Sequence, residues 1–492
     1  MSGLVLTLYG ITLAGLIAFA FHRLKVLWMY ARHARMPAKP APWNGPLPRV
    51  CVQCPLYNER LMIEGLLDSV SRLRWGGGLE IQILDDSTDD TPQVIERWLE
   101  RHPEAAGIVK HIRRSQRDGY KAGALAHGMT LSDGEFFAVF DADFRPAPDF
   151  LEQLVPYFSD PQIGVVQARW EFSNRRASLL TRFQGIFLDA HFVVEQAARF
   201  GSGLFFNFNG TAGVWRRSAL EDAGSWSADT VTEDLDASYR AQRRGWRFIY
   251  LSEYTVPSEL PEKLTAFKSQ QYRWTKGGIQ VARKQLGEIL SSDLPARVKR
   301  EAFWHLTTGF VHPLLITFAI LFVPYLYFAG HVKVGGVWLF LNPISVLLTG
   351  GTTVILYITG QYFRQRQWRD GLLWLISSPF LLAFGLAMSV TCCVAVIEGM
   401  LTIGGEFVRT PKGGRDAVVG GLVARMRSRV LFTAVTAIEV SLGASMVFGS
   451  VYFARHGSMD IAVVLGIKAV GFLGVAVLSA PDLFPRARTA AA

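Results

Sequence analysis

The 492-residue chain is too long for one soluble core, and half of its residues are hydrophobic, so a polar domain alone does not account for it. The formal net charge of +10 raises the question of nucleic acid, but the excess sits in loops such as "QYFRQRQWRDG" and "VARMRSRV", where membrane topology and anionic lipid account for it. No nucleic-acid partner is expected. The four cysteines give neither a zinc set nor a disulfide framework, because Cys51 and Cys54 lack a second pair and Cys392 and Cys393 lie in an apolar run.

The first apolar run, "LVLTLYGITLAGLIAFAF", is followed rather than preceded by basic residues and has no small-residue cleavage site, so it reads as a retained anchor over 1–24. Its flank, "HRLKVLWMYARHARMPAK", carries three arginines and two lysines, which by the positive-inside rule places the chain from residue 22 onward in the cytoplasm, on the inner face of a plasma membrane. A Pro-rich linker over 25–48 leads to a domain spanning 49–285. There "VCVQCPLY", "EIQILDD", "IVKHIRR" and "EFFAVFDAD" predict strands, and "RLMIEGLLDSVSRL", "TPQVIERWLERH" and "KAGALAHGMTL" predict helices. Thr91 is expected as the N-cap of the second of these, with Pro92 at its first helical position. Alternating strands and helices imply a mostly parallel α/β sheet with ligands at the carboxyl ends of its strands. Beyond it the spacing predicts an interfacial helix over 286–305, membrane or interfacial helices over 306–400, a cytoplasmic loop over 401–428, a membrane hairpin over 429–482 and a tail to 492, with about six spans in all.

Two acidic clusters fall at strand ends: "LDDSTDDT", with Asp85 and Asp86, and "FDADF", with Asp141 and Asp143. Carboxylates one residue apart on a loop can share a hard cation whose shell is completed by substrate phosphate, although either cluster alone also suits a solvated turn. "RRSQRDGYKAGAL" brings Arg117 and Lys121 ahead of a helix, where a diphosphate meets cations and backbone N–H groups. "TEDLD" supplies Thr232, Glu233 and Asp234, read equally as a general-base site or as first-turn acids favoured by a helix dipole. In "SQQYRWTKGG", Trp274 suits either a sugar ring or the membrane interface.

In this order, "CPLYNE", "QILDDSTDDT", "GYKAGAL", "FDADF", "VQARW", "FNGTAGVWR", "TEDLD" and "QQYRW" resemble the motifs of inverting, membrane-embedded family 2 glycosyltransferases, most closely the cellulose synthase-like A β-mannan and glucomannan synthases. The resemblance implies a GT-A α/β cytoplasmic domain on an α-helical transmembrane domain. It implies that Tyr57, Glu59, Asp85, Asp86 and Lys121 bind the nucleotide-diphospho-sugar, and that Asp141 and Asp143 meet its diphosphate through Mg2+ or Mn2+. Asp234, flanked by Thr232 and Glu233, would be the catalytic base. Trp170, Asn209, Gly210 and Thr211 would bind the acceptor, while Gln270 and Arg273 of the QxxRW motif would bind the nucleotide-sugar, Arg273 at its diphosphate, and Trp274 would stack on the terminal acceptor sugar. "EFVRTPKGG" resembles a gating loop, with Phe407, Thr410 and Lys412 in play, although Arg409 and Pro411 alter the family spacing. No appended regulatory domain is expected after "FPRARTAAA". The implied activity is processive extension and translocation of a β-linked polysaccharide from GDP-mannose or UDP-glucose. Alternatives are a non-processive ceramide or diacylglycerol glycosyltransferase and a non-catalytic transport or scaffold subunit.

Overall fold

The computed structural model describes residues 2–34, 37–331, 347–365, 369–405 and 422–483. Its centre is a seven-stranded mixed sheet: β1 Val50–Leu56, β2 Leu79–Asp85, β3 Val109–Arg113, β4 Phe136–Val139, β5 Ile163–Phe172, β6 Gly213–Arg216 and β7 Arg247–Ser258, in the order β3-β2-β1-β4-β6-β5-β7. The first four lie where the alternating apolar runs place them. They pair in parallel, whereas β6 runs antiparallel between β4 and β5. That one reversal brings the segment leading into β6 to the same sheet edge as the carboxyl ends of β1, β2 and β4.

Alternate side chains on the strands feed two cores, one on each face of the sheet. Val50, Val52, Cys54 and Leu56 of β1 enter one core and Cys51 the other, so the two cysteines point to opposite faces and act as packing residues. The helix Thr91–Arg101 corrects one detail of the sequence reading. Thr91 lies inside its first turn, Asp90 takes the cap position, and Asp89 Oδ1 accepts from the Thr91 amide at 3.0 Å and its hydroxyl at 2.6 Å. A short acidic side chain two residues upstream satisfies the amide better than the expected threonine cap.

Among the described residues, five helices are long and apolar enough to cross a membrane: Gly3–His33, Thr308–Phe328, Trp374–Leu401, Arg429–Arg455 and Met459–Ala480. The first helix runs on to His33, so the segment expected as a linker from residue 25 begins as helix. Much of the expected apolar block 337–360 lies outside the described residues.

Between sheet and spans lies the helix Leu264–Ser291. At 100° per residue, Gln270, Arg273, Trp274 and Gly277 fall on one stripe, and Lys268, Lys276 and Arg283 on the opposite side. The second side is charged yet turned to apolar spans, and it is tolerated because each cation is matched. Lys268 Nζ meets Glu439 at 2.8 Å with both side chains fully buried, Lys276 Nζ meets Glu398 at 2.8 Å, and Arg283 donates to the carbonyls of Gly399 and Thr402. Removing one partner of a buried pair leaves an uncompensated charge, at a cost of about 3–5 kcal/mol, whereas an apolar pair of similar volume is often neutral. Lys268→Met or Glu439→Leu alone is therefore expected to lower the unfolding temperature in detergent, and the double variant to recover it. A double variant as unstable as either single one would contradict this account.

Candidate active site

A cavity of about 130 Å3 opens at the sheet edge where these elements meet. β1 ends at Leu56 and delivers Tyr57 and Glu59; β2 ends at Asp85 and delivers Asp86; β4 is followed by Asp141 and Asp143. The antiparallel β6 brings in Asn209 and Gly210, β5 supplies Trp170, the start of the Glu233–Arg243 helix supplies Thr232, Glu233 and Asp234, and the Leu264–Ser291 helix supplies Gln270, Arg273 and Trp274. Arg117 also lines the cavity, its guanidinium 3.4 Å from the centre of the Tyr57 ring.

Acids outnumber bases here, and the cations are placed among them. Lys121 Nζ donates to Asp141 Oδ1 at 2.6 Å and to the Gly210 carbonyl at 2.9 Å, and stands 3.9 Å from Glu233. Arg114 grips both oxygens of Asp86, at 3.0 and 2.5 Å. Burial, reinforced by the neighbouring Glu233 carboxylate, pushes the Asp234 carboxyl up to about 7. Burial raises Glu233 too, although Lys121 and Arg273 oppose it. Asp234 Oδ1 accepts from the Leu235 amide at 2.8 Å, which fixes the carboxylate at its helix start.

Two glycines permit this geometry. Gly210 has φ of +79°, and a Cβ there would stand 2.9 Å from Asp234 Oδ2. Gly277 lies in mid-helix, yet a Cβ would collide with the Thr232 side chain, so the bare backbone of the helix seats the acidic turn. The sequence reading singled out neither Gly277 nor the side chains behind Asn209. A glycine in a helical run reads as a weak helix former until its neighbour is known.

Not every expected residue reaches the cavity. Asp85 is turned inward, where it accepts from His111 at 2.9 Å and from the Ser87 amide at 2.9 Å, leaving Asp86 to face the cavity. Thr211 is buried beneath, its hydroxyl accepting from the Asp141 amide at 2.9 Å, so it braces the loop carrying Asp141 and Asp143 rather than lining the site. Phe407, Thr410 and Lys412 lie outside the described residues. Among the described residues no three metal-ligating side chains converge. Asp141 and Asp143 are nevertheless two hard oxygen donors on one wall, a set that suits a divalent ion taking the rest of its shell from diphosphate and water.

A second cavity, of about 580 Å3, lies nearer the start of the same helix, among the spans, and is walled by residues such as Leu16, Phe318, Leu386 and Ile467. Phe267 and Gln271 line it, within two helical turns of Trp274 of the first cavity. The stripe Phe267, Gln271, Trp274 thus runs from one cavity to the other along one helix face.

The family model described as glycosyl transferase family group 2 matches residues 136–404. Glucomannan 4-beta-mannosyltransferase 7 of Arabidopsis thaliana is 33% identical over 445 residues, covering 87% of this chain and 76% of its own length. Probable glucomannan 4-beta-mannosyltransferase 3 of Oryza sativa subsp. japonica is 35% identical over 448 residues, covering 87% and 78%. The fold matches the mannosyltransferase PcManGT from Pyrobaculum calidifontis, solved in complex with GDP-Man and Mn2+, with a TM-score of 0.52 at 21% identity over 81% of this chain and 98% of that one. The sheet is accordingly GT-A-like.

Gly277→Ala tests the contact with Thr232. Alanine in mid-helix normally stabilises by about 1 kcal/mol over glycine, yet here transfer activity is expected to fall at least about tenfold as the acidic turn is displaced. Gly278→Ala, where a Cβ meets nothing within 4 Å, serves as the control and is expected to retain activity. Equal activity in both variants would show that the close approach does not matter.

Proposed function

Because the chain belongs to the glycosyl transferase family group 2, we propose that it is a membrane-embedded β-mannan or glucomannan synthase, transferring mannose from GDP-mannose with inversion to the non-reducing end of a growing chain. UDP-glucose is the competing donor. The observation that carries this reading is the placement of Asp234, its carboxyl held near neutrality, in one cavity with Arg273, Lys121 and Trp274.

In this mechanism Asp234 removes the proton from the acceptor hydroxyl. The resulting oxygen attacks the anomeric carbon, the bond to the diphosphate breaks, and the nucleoside diphosphate leaves from the opposite face. Lys121 and Arg273 stabilise the charge that grows on it, in a site where water no longer competes. Asp141 and Asp143 would hold a Mg2+ or Mn2+ ion, which when bound neutralises diphosphate charge. Tyr57, Glu59, Asp86 and Arg117 line the side that would receive the nucleotide, while Trp170, Asn209 and Trp274 line the acceptor side. An indole face offers a pyranose its apolar C–H surface. Translocation is supported by the second cavity among the spans, which continues the Trp274 stripe. The basic flank of the first helix supports a cytoplasmic sheet domain and cytoplasmic donor.

Membranes holding the protein are expected to polymerise radiolabelled GDP-mannose with Mn2+ or Mg2+ into material that is excluded on a sizing column and cut by an endo-β-1,4-mannanase. A product of only one to a few sugars on lipid would overturn the polymerase reading, and incorporation from UDP-glucose alone would overturn the donor. Asp234→Asn is expected to lower kcat about 10²–10⁴-fold, the usual worth of a positioned base. The same variant relieves a crowd of buried carboxylates, so its unfolding temperature is expected to rise. Since only the carboxylate form accepts a proton, kcat/KM of the native protein is expected to fall as pH drops through about 7. A flat profile across that range would remove Asp234 as the titrating base.

A further inference from the structure

Asn209 is buried, lines the cavity, and has an amide nitrogen with no hydrogen-bond partner. Its orientation is fixed by satisfiability. Gln196 Nε2 donates to the Asn207 backbone carbonyl at 2.9 Å, so that atom is a nitrogen, and it also lies 3.1 Å from Asn209 Oδ1. The Asn207 side-chain nitrogen adds a second donor at 2.9 Å. The Asn209 oxygen is therefore turned toward these donors, and its NH2 is left as a buried, unspent donor beside the cavity that the residue lines.

A third contact completes the cradle. His191 Nε2 lies 3.2 Å from Asn209 Oδ1, and Nδ1 lies 3.3 Å from Glu195 Oε2. The Asn209 oxygen can only accept, so Nε2 is the donor in that contact, and Glu195 holds the other side of the ring. Glu195 takes Arg199 at 3.5 Å; Arg199 donates to Glu301 at 3.3 Å; Glu301 takes His22 at 3.0 Å and Lys25 at 2.8 Å from the first helix. His191 sits on the π-helical turn Ala190–Glu195, where the Gln196 amide reaches back five residues to the His191 carbonyl. The wider turn changes the helical phase between residues 191 and 196, so that both side chains reach the same oxygen. Such turns recur at functional sites.

We propose that His191 is a positioning residue: clamped by Glu195, it locks the Asn209 carboxamide so that its NH2 is presented to a hydroxyl of the acceptor saccharide. The inference rests on the reading of the acceptor as a polysaccharide. Without the third donor the oxygen keeps Gln196 and Asn207 but loses the contact that closes the cradle, so the carboxamide holds its NH2 less firmly in place.

The test measures acceptor and donor separately in the full-length protein. Oligosaccharide affinity is read by tryptophan fluorescence with β-1,4-linked mannohexaose and glucohexaose, and turnover by transfer from GDP-mannose. His191→Ala is expected to weaken oligosaccharide binding and raise acceptor KM about tenfold, leaving the donor KM unchanged. His191→Gln, which keeps one N–H donor, is expected to recover most of the loss. Asn209→Ala is expected to match His191→Ala, with the double variant no worse than Asn209→Ala alone. Additive losses, a shift in donor KM instead of acceptor KM, or no rescue by glutamine would overturn the role of His191 while leaving the synthase reading intact. A wild-type protein that binds neither oligosaccharide and transfers nothing would overturn both.

Discussion

Gln270, Arg273, Trp274 and the acidic turn seated on Gly277 all depend on one helix that must satisfy two solvents. Leu264–Ser291 offers Gln270, Arg273 and Trp274 to a polar cavity and Lys268, Lys276 and Arg283 to membrane-spanning neighbours. A helix polar all round would not stay against apolar spans unless each outward charge were matched, and Glu439, Glu398 and backbone carbonyls match them. The pairing does more than allow burial. Each match fixes the helix along its axis and about it, and that in turn fixes where Gly277 meets Thr232 and where Arg273 points.

The crowding of acids in the cavity has the same character. Asp141, Asp143, Glu233 and Asp234 lie together with few cations, an arrangement that costs folding stability and leaves Asp234 poised near neutral pH. A divalent cation held by Asp141 and Asp143 would bring the positive charge that relieves it. The site is thus complementary to a loaded state, and the close approach of Gly210 to Asp234 leaves little room for the carboxylate to move aside.

Legibility in the sequence depended on how local each signal was. The strands β1 to β4 were readable because their apolar runs are bounded by prolines and acids, and Asp86, Asp141 and Asp143 because they come directly after such runs. The antiparallel β6 was not readable: four residues, Gly213–Arg216, carry no direction, and orientation is decided by pairing with β4 and β5. Asp85 and Asp86 are neighbours in the chain, but strand alternation sends one inward to His111 and the other to the cavity. His191 and Gln196 gave no signal, since a π turn is written in no residue pattern and "HFVVEQ" reads as ordinary helix. Gly277 was hidden for the opposite reason: its meaning lies wholly in Thr232, which belongs to a different helix far earlier in the chain.

The two halves of the cavity are built from different parts of the chain. Tyr57, Glu59, Asp86, Arg117, Lys121, Asp141 and Asp143 all precede residue 145 and stand on the parallel half of the sheet, braced by Asn58 accepting from the Thr88 and Asp89 amides. Trp170, Asn209, Gln270, Arg273 and Trp274 come later, and most are held by elements that touch the spans: Asn209 through the chain of charges to His22 and Lys25, Trp274 through the helix pinned to Glu439 and Glu398. A rigid sheet can hold a small donor in register without help from the membrane. On the proposed reading the later wall would face the acceptor and would have to align with a path among the spans, which the elements that hold it touch. Membrane attachment therefore belongs to the geometry of the acceptor half as much as to the location of the protein.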